Sequence, residues 1–257
     1  MKKPAFYWLV AGMIFTALPA SVTKADEVVV AVATNFLLPA RKIAADFEHD
    51  TGHSVVLVAG ATGKLATQIL AGAPFDVFLA ADQARPELLV ERKAAVTGSQ
   101  FTYAVGALVL WSRDSLPLTG TSLQSLDTKQ IARLAMANPK LAPYGLAAEQ
   151  TLDRLGLLAS LEGRIVFGEN IGQTFAMAAS GNVTAGLIAM SQISSLPDDQ
   201  KGRWIDIPDD LHEPILQDGV LIMRAKDNVA ARRFMSFMKS DKVAGTIDRF
   251  GYGVSRP

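Results

Sequence analysis

Cysteine is absent from the 257 residues. The chain therefore has no disulfide, no thiol nucleophile and no cysteine on which a lipid anchor could be built. Histidine is scarce, with only His49, His53 and His212. His49 and His53 stand four apart, but Gly52 breaks the helix between them, so they do not form a metal-binding pair. Solvent exposure is expected for all three. No charge excess exists either: Lys+Arg and Asp+Glu both number 25, which gives no basic surplus for nucleic acid. No Ser stands in a G-x-S-x-G elbow. Asp82, Glu169 and Asp218 are candidate carboxylates, but none has a matched acid or base near it in sequence. Asp76 and Asp82 could cap a sheet edge instead. No catalytic set emerges, and an enzyme is not expected. After residue 25 no stretch is long and apolar enough to span a bilayer.

What is present is a globular composition, 49% hydrophobic and 19% charged. The length suits one large domain or two lobes of ordinary size. Met1-Lys2-Lys3 is a short positive region, and residues 4 to 23 carry no charge. Small residues follow, with Ala20 and Ala25 as possible cleavage ends. This pattern predicts a secretory signal peptide over 1–25, an uncleaved anchor being the alternative. Cleavage after Ala25 removes three of the 25 basic residues, Lys2, Lys3 and Lys24, leaving 22 against 25 acidic ones.

The central stretch runs from Gly60 to Asp82. Before it, Ser54 to Val58 reads as a buried strand. Gly60-Ala61-Thr62-Gly63 is a small-residue turn. Leu65, Ile69 and Leu70 follow at helical spacing, and Gly72 with Pro74 ends the helix. Phe75 to Ala80 is the next strand. The turn thus presents free helix N-terminal amides and the Thr62 hydroxyl, a site for an anion that needs no cation. An ordinary βα turn would look the same. Gly63-Lys64 resembles the end of a P-loop, but only two residues separate the glycines and Leu65 follows the lysine, so nucleotide binding is not expected.

The device recurs. Val28 to Ala33 is a strand that stops at Thr34-Asn35 and opens a helix through Phe36, Ile43 and Phe47. Asn35 alone could be a mere N-cap. Two such turns on consecutive parallel strands would lie side by side at one sheet edge. Phe101 to Trp111 reads as one long strand crossing between lobes. Ile131 to Ala137 is a strand broken by Asn138-Pro139, and Pro143-Tyr144-Gly145 opens a helix. Arg164 to Gly168 is a strand, and Glu169-Asn170-Ile171-Gly172 opens another helix. Ile215 to Arg224 reads as the return crossover, and two amphipathic helices follow.

These segments resemble the periplasmic molybdate-binding proteins of ABC transporters. The shared features are the small-residue turn, Gln68-Ile69 with Gly72-Ala73-Pro74, and Asp76-Val77-Phe78 with Ala81-Asp82. Ala33-Thr34-Asn35-Phe36, Ser99 to Ala104, Ala137 to Gly145 and Gly168 to Gln173 agree in order. The resemblance covers nearly all of residues 27 to 254. It implies an α/β, two-lobed periplasmic-binding-protein fold. Each lobe would be a mainly parallel sheet flanked by helices, and two crossover strands would join them. Lobe I is expected over 26–105 and 221–257, lobe II over 106–220.

It further implies capture of molybdate, with tungstate, between the lobes and delivery to an ABC membrane permease. No cofactor is implied, and the metal would be reached only through its oxygens. By resemblance Thr34, Asn35, Ala61 and Thr62 supply first-lobe donors, and Tyr144 and Ile171 second-lobe donors through their backbone N–H groups. A periplasmic monomer is expected. One departure stands out: some members place a Tyr donor where this chain has Ala189. Asn35 or Tyr103 are the candidates to compensate. Another oxyanion, such as sulfate or phosphate, remains an alternative ligand, and an exported enzyme the more distant one.

Overall fold

The computed structural model describes residues 26–114, 116 and 123–253. The leader expected over 1–25 lies outside the described residues.

Alternating β-branched residues start the chain: Val28, Val30 and Val32 face one layer of helices, and Ala31 faces the other. This strand, β1 (Glu27–Ala33), is followed by α1 (Leu37–Thr51), β2 (Ser54–Gly60), α2 (Thr62–Leu70), β3 (Val77–Leu79), α3 (Ala84–Glu91) and β4 (Phe101–Gly106). Then come β5 (Leu108–Ser112), β6 (Leu134–Ala137), α4 (Pro143–Arg154), β7 (Ile165–Gly168), α5 (Ile171–Ala179), β8 (Ala185–Ala189), α6 (Met190–Ser194) and β9 (Arg203–Asp206). Strand β10 (Ile215–Leu221) and helices α7 (Val229–Phe237) and α8 (Asp241–Arg249) complete it.

Among the described residues two five-stranded sheets result, in the orders β2-β1-β3-β10-β4 and β7-β6-β8-β5-β9. Within each, the three strands of the βαβ units are parallel and the other two pairings are antiparallel. The sheets are therefore mixed. The strands that arrive from the opposite sheet run against the βαβ set. Both faces of each sheet are covered. In the first, α1, α7 and α8 pack on one side and α2 and α3 on the other. In the second, α4 lies on one side and α5 on the other, where Phe175 meets Trp111 at 5.5 Å between ring centres.

The long apolar run from Phe101 to Trp111 is two strands, not one. The pairing changes sheets at Ala107: Gly106 still faces Ile215, whereas Leu108 already faces Ala189. Apolarity alone does not show which sheet a strand joins, so the break is silent in sequence. The return is also shifted. All of β10 belongs to the first sheet, and Ile207 N–H still donates to Leu108 O at 3.1 Å in the second. The chain crosses back between Ile207 and Ile215, not within 215–224.

The histidine expectation needs correction. His49 is exposed, but His53 and His212 are buried. His53 stacks on Phe47 and accepts from Asp26 N–H at 3.2 Å through Nδ1, with Arg233 of α7 laid over its other nitrogen. A residue at an element's end is covered when a sequence-distant helix docks there, and local pattern does not register that. His212 lies in the return crossing, with Nδ1 2.7 Å from Glu213 O.

Candidate functional site

Four strand-to-helix turns meet between the two sheets. β1 enters a single 3-10 turn, Thr34–Phe36, before α1. β2 leads through Ala61, the N-cap of α2. β6 leads to α4, which starts at Pro143. β7 leads to Asn170, the N-cap of α5, whose Oδ1 accepts from Gln173 N–H at 2.9 Å. In the first turn of a helix the N–H groups have no intrahelical carbonyl to reach. Here such helix starts come from both sheets, and residues of all four turns line common ground.

That ground is a small cavity of about 10 Å³, room for roughly one water molecule. Thr34, Asn35, Ala61, Thr62, Tyr144 and Ile171 all line it, together with Ala33, Gly60, Ala81, Ala142, Pro143 and Asn170. No charged side chain is among them.

The two hydroxyls are oriented. Ala81 N–H donates to Thr62 Oγ1 at 3.2 Å, and Gly172 N–H donates to Thr34 Oγ1 at 3.3 Å. Each oxygen already accepts a backbone hydrogen, so each keeps its own proton to donate. The turns also touch across the gap between the sheets. Gly63 N–H donates to Leu141 O at 3.0 Å, and Lys64 pairs with Glu169 at the exposed rim.

Glycines set these approaches where a side chain would block them. A Cβ on Gly145 would sit 2.3 Å from Ala137 O, so only glycine lets the start of α4 lie this close to the end of β6. A Cβ on Gly106 would meet the Tyr144 hydroxyl at 2.3 Å. The Tyr144 hydroxyl thus reaches into the buried space beside Gly106, where Gln217 Nε2 donates to it, while Tyr144 itself is among the lining residues.

Behind the cavity lies a buried polar cluster. Asn35 Nδ2 donates to Gln217 Oε1 at 2.8 Å and to Tyr252 OH at 3.0 Å. Gln217 Nε2 donates to Tyr144 OH at 3.2 Å. Tyr103 OH donates to Ala80 O at 2.8 Å and lies 3.2 Å from Gln217 Oε1. The Asn35 amide nitrogen is therefore committed inside the protein and leaves no side-chain donor for a ligand. Tyr103 is not in the lining. Neither supplies a side-chain donor in place of the Tyr missing at Ala189, which is itself buried and donates its N–H to Gln192 Oε1 at 3.0 Å. Burial raises the pKa of Tyr103, Tyr144 and Tyr252 above the usual phenol value, so all three stay neutral.

The candidate carboxylates are occupied elsewhere. Asp218 takes donors from Thr102 at 2.6 Å, Gln100 at 2.8 Å and Gln83 at 3.2 Å. Asp82, its pKa raised by burial against the pull of Arg85, holds the Arg85 guanidinium at 2.6 Å. Asp76 ties β3 to β1 by accepting Val29 N–H at 2.9 Å. None lines the cavity. Among the described residues, no three His, Cys, Asp or Glu side chains gather where they could hold a metal ion, and no helix is long and apolar enough to cross a membrane.

Sequence reasoning missed Gln217, Ser191, Gln192 and Tyr252, which support the site from behind. The one local sign was Gly251-Tyr252-Gly253, an aromatic held between two glycines near the chain end.

The profile of the bacterial extracellular solute-binding proteins matches residues 28–253. The molybdate-binding protein ModA of Azotobacter vinelandii is 43% identical over 237 residues, 92% of this chain and 94% of its own. The ModA of Rhodobacter capsulatus is 42% identical over 244 residues, 95% and 92% respectively. The solved periplasmic molybdate-binding protein of Azotobacter vinelandii superposes with a TM-score of 0.83 at 37% identity, covering 89% of this chain and 100% of that one. The sulfate-binding protein SubI of Mycobacterium tuberculosis, at 12% identity and a TM-score of 0.73, shares the fold.

Proposed function

The chain belongs to the bacterial extracellular solute-binding proteins, and from that premise we propose that it captures molybdate in the cavity between its two sheets, which must widen beyond its room for about one water molecule to admit a tetrahedral anion. The observation that carries this reading is the lining: oriented hydroxyl donors and helix-start amides from both sheets, with no charged side chain among them. A tetrahedral dianion is an acceptor on every corner, so it matches such a lining. A ligand that carries an O–H, such as protonated phosphate, needs an acceptor, and the lining offers no carboxylate to accept it.

The donors we assign are the hydroxyls of Thr34 and Thr62 and the backbone N–H groups of Asn35, Ala61, Thr62, Tyr144 and Ile171. A hydrogen bond to a charged group contributes about 1.5–3 kcal/mol net. Six of these seven would give about 9–18 kcal/mol before closure and ordering costs, enough to reach nanomolar affinity at about 12 kcal/mol. Helix N-termini add a favourable field. Sulfate carries the same charge on shorter bonds, so size must reject it. Tungstate, nearly identical to molybdate in shape and charge, is proposed as a second ligand.

In this reading, the mature protein works in the periplasm after removal of residues 1–25, as a monomer, and hands its cargo to an ABC membrane permease. The lobes are proposed as 26–105 with 215–257 and 106–214, the boundary expected at 220 being moved back because all of β10 pairs in the first sheet. The test is calorimetric titration of residues 26–257 with molybdate, tungstate, sulfate and phosphate. Tight one-to-one binding of the first two alone is the expected result. A preference for sulfate or phosphate would overturn the ligand assignment.

A further inference from the structure

We propose that Tyr252 and Ser191 are positioning residues that latch the two sheets together through Asn35. They touch no ligand in this scheme.

The Asn35 carbonyl accepts Tyr252 OH at 2.7 Å and Ser191 Oγ at 2.9 Å, and the two hydroxyl oxygens lie 3.0 Å apart. The donors come from different halves of the fold. Ser191 belongs to α6, which continues β8 of the second sheet. Tyr252 packs in the core of the first sheet, edge-on to Phe36 at 5.5 Å. All three residues are buried, at 3%, 2% and 4% exposure for Asn35, Ser191 and Tyr252.

The chain end that carries Tyr252 is itself wedged between the halves. Gly253 pairs with Val105 of β4 through two backbone bonds, 2.8 and 2.9 Å. Gly251, at φ +76, packs on α6, where a Cβ would meet Met190 Cγ at 2.8 Å and Ser194 Oγ at 3.0 Å. A larger residue at Gly251 would push this segment off α6.

Ser191 has a second link to the site. Its neighbour Gln192 donates to Ile171 O at 3.0 Å. The first turn of α6 therefore holds a lining residue from each sheet, Asn35 and Ile171. When the sheets part, the Ser191–Asn35 bond must break, whereas the Tyr252–Asn35 bonds stay within the first half. Closing restores one buried hydrogen bond and fixes the Asn35 peptide. A net hydrogen bond corresponds to roughly a threefold to tenfold shift in such an equilibrium.

The latch itself stands on contacts of the chain alone; only its effect on affinity rests on the oxyanion reading. Amide hydrogen exchange of ligand-free protein tests it without reference to any ligand. The reporters are Gly63 and Gly172, whose N–H groups donate across to Leu141 O and Thr34 Oγ1. Ser191→Ala should speed exchange at these amides about threefold to tenfold, and Tyr252→Phe, whose bonds to Asn35 survive opening but whose hydroxyl holds the Asn35 carbonyl in place for Ser191, should speed it by a smaller factor. Exchange in the β1–β2 pair should not change, and Ser191→Thr, which keeps a hydroxyl, should restore protection. Molybdate binding supplies the second arm: Ser191→Ala should raise the dissociation rate by a similar factor and leave association alone. Unchanged exchange at Gly63 and Gly172 in both variants would overturn the latch. Silence of the unsubstituted protein toward molybdate would overturn the ligand assignment only, since the exchange arm still decides the latch.

Discussion

Ala81 and Thr62, nineteen residues apart, meet in one hydrogen bond: the Ala81 N–H donates to Thr62 Oγ1 at 3.2 Å. Both residues are buried. The bond uses the hydroxyl as an acceptor and so leaves its proton free to be donated. It also satisfies a buried backbone donor just past the end of β3.

Thr62→Ala therefore has two separable consequences. Loss of a donor to a charged ligand costs about 1.5–3 kcal/mol, roughly tenfold to 150-fold in affinity. The stranded Ala81 N–H costs a further 1–3 kcal/mol or so in stability, which lowers Tm by about 2–4 °C per kcal/mol in a chain of this size. Thr62→Ser should keep most of both. Titration calorimetry and thermal melts read the two effects apart. Full molybdate affinity in Thr62→Ala would show that this hydroxyl is not a ligand.

Two helical glycines should answer to alanine in opposite ways. On Gly145 the new Cβ would press on Ala137 O and its carbonyl carbon, at 2.3 and 2.7 Å. The backbone of α4 must retreat from β6 and carry the Tyr144 N–H with it. An affinity loss of at least tenfold with reduced stability is expected, since overpacking typically costs about 1–3 kcal/mol. Gly245 in α8 has nothing within 4 Å of its would-be Cβ. Gly245→Ala should stabilise by about 0.5–1 kcal/mol through helix propensity and leave binding untouched. A Gly145→Ala protein with unaltered affinity would remove the close-packing argument for the α4 turn.

These contrasts mark what could be read in the sequence. All six proposed ligand residues stand at strand-to-helix turns, and such turns are local: an apolar run, a small polar stretch, then helical spacing. Ala61 at the N-cap of α2 and Tyr144 in the first turn of α4 follow from that alone. Their sharing one cavity is a matter of topology, which the family resemblance implied and the residues did not. The support behind the cavity was invisible for a plainer reason. Asn35 and Tyr252 are 217 positions apart, and no periodicity connects them. The same holds for His53, covered by α7 from 180 positions away, and for Ala107, where a continuous apolar run changes sheets.

The tyrosines give a pH prediction. The chain has four, and removal of residues 1–25 leaves Tyr103, Tyr144 and Tyr252, all in the buried cluster. Burial raises each pKa above the unfolded value of about 10. A raised pKa means the folded state holds its protons more tightly. The stabilisation is complete below about pH 10 and is lost as pH climbs past it, by up to about 1.4 kcal/mol per unit for each tyrosine. Phenolate absorbance should therefore appear in one step, together with loss of the far-ultraviolet circular dichroism signal. A gradual phenol titration centred near pH 10 in protein that stays folded would contradict the buried cluster.

Lys64 is the cation nearest the cavity in sequence, two residues past Thr62, and it pairs with Glu169 across the rim. Both side chains are about half exposed, at 49% and 47%. An exposed pair contributes only about 0.2–1 kcal/mol, so its equilibrium effect should stay within about fivefold. Its larger effect is kinetic, because a rim charge acts on the encounter with an anion before the sheets close. Lys64→Gln should slow molybdate association and flatten its dependence on ionic strength. Glu169→Gln should do the reverse for association, since it leaves Lys64 uncompensated, while both variants lose the pair and dissociate modestly faster. Stopped-flow association rates at low and high salt would measure this. Identical salt slopes in all three proteins would mean that the pair is a passive surface contact and that the field drawing the anion in comes from the helix starts alone.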